Sequence, residues 1–220
     1  DARGRVVEAR PRLDAPVRHG REIALSLDAV LQLHAEMTLA ETAAIWKAKS
    51  CCAVVLDPHT AEILVMASWP GYDPNRPAEI AVPAWKNRPL VEMYEPGSTF
   101  KPFIIAWALE QGLLRRDEVF DCENGAYRMG RRLLHDHHRY GTLNVTDILV
   151  KSSNIGMAKI GERLTNSRLH EAARVFGFGA PTGIALPGEL PGKLRPLSDW
   201  NSYSTGSVPM GQEIAVTPLQ

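Results

Sequence analysis

Apolar and polar positions alternate along the chain with periods that change from segment to segment. Leu27, Val30, Leu31, His34, Met37, Ala40 and Ile45 recur at steps of three and four, which predicts a long amphipathic helix over 27–47. Asp28 stands near its start, where a carboxylate suits the positive end of the helix dipole. Two shorter apolar runs, 51–57 and 62–68, flank Pro58-His59-Thr60-Ala61 and read as a β-hairpin. From Ser68 to Pro96 the chain is rich in Pro, Gly and Asn, which predicts a long surface connection. A helix then runs from about Ser98 to Gln111. Its residues Phe103, Ile104, Ile105, Ala106, Trp107, Ala108 and Leu109 are apolar almost all round, the pattern of a buried helix. Pro102 falls in the first turn, where a missing N–H costs least, and Gly112 ends the helix.

Residues 120–141 are irregular, with a short hairpin expected around Met129-Gly130. Helices are predicted over 144–151, 154–164 and 168–176, the last capped by Ser167 and stopped by Gly177. The stretch 177–209 is loop-rich. Residues 1–22, rich in Arg and Pro, read as a linker or the edge of a preceding domain, which leaves 23–220 as one partial domain. The pattern by itself supports a mixture of α and β.

Twenty-five basic residues balance 25 acidic ones, so no charge excess asks for nucleic acid as a partner. Arg115-Arg116 and the stretch 128–132 are short enough to be solvated faces. Three cysteines make no disulfide framework. Cys51 and Cys52 lie in an apolar strand and read as buried small hydrophobes. No apolar run approaches the roughly 18 residues of a membrane span. The chain neither begins with Met nor carries a signal peptide, and it stops at Val216-Thr217-Pro218-Leu219-Gln220 without a terminating element, so an excerpt of a longer protein is expected. His135-Asp136-His137-His138 tempts a zinc reading, but consecutive ligands scatter their side chains. A polar surface loop near the cleft is expected there, with no metal and no cofactor.

The chemistry is carried by Ser98-Thr99-Phe100-Lys101. Side chains three apart share a helix face, so an amine can lie beside a hydroxyl. At the start of a buried helix that amine is partly desolvated, its pKa falls, and the neutral form can take the serine proton. Alone, the pattern equally fits a capping serine and a surface lysine. A second element, Lys151-Ser152-Ser153-Asn154 leading into Ile155-Gly156, offers a hydroxyl that can relay protons and an amide with both donor and acceptor groups. Alone it reads as a helix cap.

Together the two elements resemble the active site of the penicillin-binding protein and serine β-lactamase superfamily. The wider resemblance is to the transpeptidase domain of class B penicillin-binding proteins. It rests on Ser26-Leu27-Asp28, Ala53-Val54-Val55-Leu56-Asp57-Pro58, Met66-Ala67-Ser68, Glu95-Pro96-Gly97-Ser98-Thr99-Phe100-Lys101-Pro102-Phe103, Ser152-Ser153-Asn154-Ile155-Gly156, Phe176-Gly177-Phe178-Gly179, Thr182-Gly183-Ile184, Leu186-Pro187-Gly188-Glu189 and the C-terminal Val216-Thr217-Pro218-Leu219-Gln220. Glu95-Pro96-Gly97 and the terminal motifs resemble the cell-division subgroup more than the elongation subgroup.

The resemblance implies an α/β (α+β) fold, a mainly antiparallel sheet flanked by helices, incomplete at its C-terminus. It implies that Ser98 attacks the penultimate D-alanine carbonyl of a peptidoglycan stem peptide and is acylated, that Lys101 accepts its proton, that Ser152 relays protons to the departing D-alanine, and that Asn154 holds the substrate amide and orients Lys101. The Ser98 backbone N–H would supply half of an oxyanion hole. A neighbouring stem-peptide amine would resolve the acyl-enzyme, and β-lactams would acylate Ser98 as mimics. It further implies an extracytoplasmic (periplasmic) domain, anchored to the membrane by a segment outside this chain, beside a membrane glycan polymerase and cell-division proteins. Two departures stand out. The family's Lys-Thr/Ser-Gly motif is absent, the chain ending before it, so the excerpt is expected to be incomplete as a catalyst. Glu213 stands where the family usually has glycine, and a different local backbone is possible there. Alternatives are a class D-like serine β-lactamase, although those carry an apolar residue at the place of Asn154, and a penicillin-binding sensor or scaffold.

Overall fold

A computed structural model describes residues 20, 22–76, 79 and 81–220. The linker expected over 1–22 lies almost entirely outside these. The chain divides into two units, Asp1–Pro89 and Leu90–Gln220.

In the first unit, helix α1 (Ala29–Trp46) starts where Asp28 Oδ1 accepts from the N–H groups of Val30 and Leu31, both at 2.9 Å. It ends as Lys47 turns left-handed, at φ 50°. The expected one-sided burial is not found: Ala43 is the one buried residue of α1, while Val30, Leu33, Met37, Ile45 and Trp46 are exposed. Among the described residues of this unit the helix has only a two-stranded ribbon to pack on, too narrow to cover five turns. The ribbon is the predicted hairpin, β1 (Cys51–Leu56) paired antiparallel with β2 (Ile63–Trp69). Asp57 Oδ1 closes its turn by accepting from His59 N at 2.7 Å and Thr60 N at 3.2 Å. Gln32 fastens α1 to β2 by accepting from Met66 N at 2.9 Å. Cys51 and Cys52 are half-buried rather than buried, because a two-stranded ribbon lacks a second layer over both faces. The connection from Ser68 to Pro96 is more ordered than its composition predicts. It contains a 3-10 turn at Val82–Trp85 and a one-turn helix α2 (Arg88–Val91), and it buries Ala84, Arg88 and Leu90.

The second unit is built on the predicted apolar helix. A 3-10 turn, Gly97–Phe100, runs directly into α3 (Lys101–Glu110), which buries Lys101, Ile104, Ile105, Trp107 and Ala108. Burial is not all round as the apolar pattern predicts, since the edge carrying Pro102, Ala106 and Glu110 is exposed. Then come β3 (Val119–Asp121), β4 (Ala126–Met129), β5 (Arg132–His135) and β6 (Thr142–Asn144). β4 and β5 form the expected hairpin about Gly130, at φ 58°, and β3 pairs antiparallel with β6. Arg132 is tied down instead of merely solvated, donating from Nη1 to Ser207 Oγ at 2.9 Å. Helix α4 (Val145–Val150) is capped by Asn144 and α5 (Asn154–Val175) by Ser153. The two helices predicted over 154–176 are one element interrupted at Thr165, whose φ and ψ of 66° and 163° are non-helical. Gly177, at φ 83°, follows its end. The loop-rich tail holds β7 (Lys193–Leu194), a 3-10 turn at Leu197–Asp199, α6 (Ser204–Ser207), a 3-10 turn at Val208–Met210, and β8 (Ile214–Ala215), which pairs with β7.

The core of this unit packs Phe100, Ile104, Ile148, Ile155, Met157, Ile160, Leu164 and Val208, all at zero exposure. Two small residues let α5 approach its neighbours. A Cβ on Gly156 would lie 2.6 Å from Ile148 Cγ1, and one on Gly161 would overlap the Thr205 carbonyl. Phe100, Phe103, Phe176 and Phe178 interlock edge to face beside α3. The architecture is α/β with helices and antiparallel strands, as the resemblance implies, and the strands among the described residues form four two-stranded ladders. No helix among the described residues is long and apolar enough to cross a membrane. Glu213 keeps the left-handed backbone that glycine favours, at φ 62°.

Candidate active site

Ser98 sits in the 3-10 turn that feeds α3, after Gly97 at φ 58°. The turn is closed by Thr99, whose Oγ1 donates to the Pro96 carbonyl at 2.7 Å, and by the Lys101 N–H, which donates to the Ser98 carbonyl. Ser98 is exposed. Lys101, first residue of α3, is only 1% exposed, because it lies on the buried face of that helix with Ile104, Ile105 and Ala108. A buried ammonium needs acceptors, and they come from the distant turn between α4 and α5. Lys101 Nζ donates to the Ser152 carbonyl at 2.7 Å, to Ser152 Oγ at 3.0 Å and to Asn154 Oδ1 at 2.9 Å.

Three of the four residues singled out from sequence are thus brought together, Lys101 bonded to both Ser152 and Asn154. Ser98 is one helical turn from Lys101, but among the described residues its hydroxyl makes no hydrogen bond, and the amine is bonded to Ser152 and not to it. Chemistry explains why. A protonated amine has three N–H groups and no acceptor, and all three are used here. Only after losing a proton does it have a lone pair to offer a neighbouring hydroxyl. Burial pushes Lys101 down to about 8, against the opposing pull of the Asp136 carboxylate. Both protonation states are therefore accessible near neutral pH.

Ser152 holds its carbonyl and hydroxyl towards Lys101 from a left-handed backbone, φ 54°, which a non-glycine residue adopts only where its surroundings enforce it. The enforcement comes from a residue that the sequence reading assigned to a surface loop. Asp136 Oδ2 accepts from Ser153 Oγ at 2.7 Å, and Oδ1 accepts from the N–H groups of Asn154 at 2.5 Å and Ile155 at 3.0 Å. It therefore caps α5 from outside while Ser153 caps it from within, accepting from Gly156 N at 2.9 Å. Asn154 Nδ2 donates to the His135 carbonyl at 3.2 Å, which turns Oδ1 towards Lys101. The three imidazoles of the 135–138 tract are exposed, His137 stacked on His138 with centroids 4.7 Å apart. Nothing in the local sequence marks Asp136 as different from them, since its partners lie 17 to 19 residues further on. Among the described residues no group of three His, Cys, Asp or Glu side chains is gathered so as to hold a metal ion. Buried Cys122, its thiol pushed up by burial, accepts from Ser153 Oγ at 3.5 Å behind the site.

Residues 51–220 match the family model described as penicillin binding protein transpeptidase domain. The peptidoglycan D,D-transpeptidase FtsI of Escherichia coli K12 is 34% identical over the whole of this chain, which covers 37% of its length. The probable peptidoglycan D,D-transpeptidase PenA of Neisseria gonorrhoeae is 35% identical, again over all of this chain and 38% of that protein. The chain thus spans well under half the length of these curated relatives. The apo TP domain of Burkholderia pseudomallei penicillin-binding protein 3 superposes with a TM-score of 0.78 at 26% identity, covering 91% of this chain and 56% of that one.

Proposed function

The chain belongs to the penicillin-binding protein transpeptidase family, and from that premise we propose that it carries the acylating centre of a peptidoglycan D,D-transpeptidase of the cell-division type. The observation that carries the reading is the buried Lys101 amine, lowered to about 8 and held on Ser152 Oγ and Asn154 Oδ1, one turn from an exposed serine. Ser98 Oγ attacks the carbonyl of the penultimate D-alanine of a stem peptide, and its proton passes to neutral Lys101. The ammonium so formed is held by three acceptors. Ser152 Oγ, in contact with that ammonium, hands a proton to the departing D-alanine amine, and the acyl group remains on Ser98. Asn154 binds the substrate amide and keeps Lys101 oriented. An amine of a second stem peptide then attacks the acyl carbonyl, forming the cross-link and freeing Ser98. Asp136 positions the Ser152–Asn154 turn. β-Lactams acylate Ser98 in place of the stem peptide.

This chemistry belongs outside the cytoplasmic membrane, with an anchor supplied by a segment beyond this chain and with a glycan polymerase and division proteins as neighbours. The test is mass spectrometry of the full-length protein after incubation with a β-lactam. One long-lived adduct on the peptide containing Ser98, lost in Ser98→Ala, is expected. An adduct elsewhere, or none, would overturn the reading, and rapid release of hydrolysed drug would transfer it to a β-lactamase.

A further inference from the structure

Asp136 steadies the amine, but nothing in the Ser152–Asn154 turn steadies the serine. The turn that carries Ser98 is held from another direction, by the segment 211–216. Three main-chain ties and one from main chain to side chain join them. Gly97 N donates to the Gly211 carbonyl at 3.0 Å, Tyr94 and Val216 exchange both of their N–H bonds at 3.0 Å, and Glu213 N donates to Glu95 Oε1 at 2.9 Å. The approach is as close as backbones allow. A Cβ on Gly211 would overlap the Gly97 carbonyl oxygen and stand 2.6 Å from its nitrogen. Glu213 reaches Glu95 only because its own backbone is left-handed, a conformation a glutamate does not adopt unaided. Its side chain supplies the restraint: the carboxylate pairs with Arg195 Nη2 and accepts from Ser204 Oγ at 2.9 Å. Arg195 is fixed in turn, donating from Nη1 to the Asp199 carbonyl at 2.8 Å, while its own carbonyl accepts from Trp200 Nε1 at 3.1 Å.

We propose that Glu95, Glu213 and Arg195 form a positioning clamp that fixes the Ser98 turn against α3, independently of the groups that hold Lys101. The proposal rests on Ser98 being the nucleophile. Glu95 lies three residues before Ser98, just ahead of that turn, and its side chain accepts from Glu213 N. Removing its acceptor frees one edge of the turn while leaving every contact of Lys101 in place. Misplacement of a nucleophile by an ångström lowers rates by about 100-fold, so a loosened turn should acylate about 10- to 100-fold more slowly. The lysine pKa should not move, because no clamp residue touches the amine.

The experiment compares Glu95→Ala and Glu95→Gln with the wild-type full-length protein, using a fluorescent penicillin as probe. Glu95→Ala is expected to lower the saturating acylation rate with little change in the half-saturating concentration. Glu95→Gln, which keeps an oxygen acceptor, should restore it to within about threefold, as a hydrogen-bonded rather than charged role requires. The pH midpoint of acylation should be the same in all three. A wild-type rate in Glu95→Ala, a failure of Gln to restore it, or a shifted midpoint would each overturn the clamp. Hydrogen exchange at the Gly97 amide supplies a readout that needs no acylation: it should quicken in Glu95→Ala and not in Glu95→Gln. If the wild-type protein is not acylated at Ser98, the proposed function fails, and unchanged Gly97 exchange sinks the clamp on its own.

Discussion

Replacing Asp136 by Asn tests how the site is held together, because it keeps the shape of the side chain and removes its charge. Two consequences follow with opposite signs. Asp136 accepts three hydrogen bonds, from Ser153 Oγ and from the N–H groups of Asn154 and Ile155. Bonds to a charged group contribute about 1.5–3 kcal/mol each and neutral ones about 0.5–1.5. The Asn oxygen can still serve the two amides, but its NH₂ faces Ser153 Oγ, whose other partners are Gly156 N and the weak acceptor Cys122 Sγ. Counting the lost helix-end charge at about 0.3–1 kcal/mol, the variant should be about 2–4 kcal/mol less stable than wild type. A native domain is stable by about 5–15 kcal/mol, so it should still fold. The carboxylate also favours the ammonium form of Lys101, and removing it must lower that pKa below its value of about 8. Acylation by a labelled penicillin should therefore turn on at lower pH in Asp136→Asn, while its plateau falls because Ser152 and Asn154 are held less firmly. Urea unfolding at fixed pH and acylation rates from pH 6 to about 10 read the two effects separately. A midpoint that rose or stayed put, or a stability loss below about 0.5 kcal/mol, would refute the assignment of Asp136 as both cap and charge.

The lowered pKa of Lys101 carries a stability prediction as well. Between about 8 and the ordinary lysine value of 10.5 the unfolded chain binds the proton that the folded one has released. Folding is therefore penalised below about 8 and the penalty is relieved as pH rises through that window, so wild type should gain stability relative to Lys101→Met between pH 7 and 10.5 in paired denaturation curves. A constant difference would show that the amine is not desolvated. On the far side of α5, Gly161→Ala should cost about 1–3 kcal/mol by forcing the helix away from α6, since the new methyl would overlap the Thr205 carbonyl and meet Pro209 Cγ at 2.6 Å. A melting temperature equal to that of wild type would contradict the close packing of these elements.

What was legible in the sequence was what depends on neighbours along the chain. The apolar run after Lys101 declared a helix, and Pro58-His59-Thr60-Ala61 between two apolar runs declared a hairpin; both are present, although the helix is buried on one face and not all round. The α1 pattern misled because periodicity reports which face would be buried, not whether the unit has enough surface to bury it. Cys51 and Cys52 failed for the same reason. Lys101, Ser152 and Asn154 were legible as candidates because each belongs to a short motif. Asp136 was not, because it acts on main-chain N–H groups of a helix end that it reaches only through the β4–β5 hairpin. A carboxylate among imidazoles has no local signature of that role. Glu213 was legible as an oddity, and its explanation, an ion pair with Arg195 that holds a left-handed backbone, needed coordinates.

The chemical character of Lys101 then follows from which acceptors the fold can afford it. Placing Lys101 on the buried face of α3 strips water from its amine, which favours the neutral form. Had a carboxylate met that amine directly, the charged form would have won and the base would be lost, since an adjacent opposite charge holds a lysine protonated. The fold instead presents a carbonyl, a hydroxyl and an amide oxygen, which satisfy the ammonium's donors without a formal charge. The nearby carboxylate, Asp136, is turned away and spent on Ser153 and two amides at the start of α5. One residue thus supplies the order that keeps three neutral acceptors in place and, by facing the amides rather than the amine, leaves Lys101 free to give up its proton near pH 8.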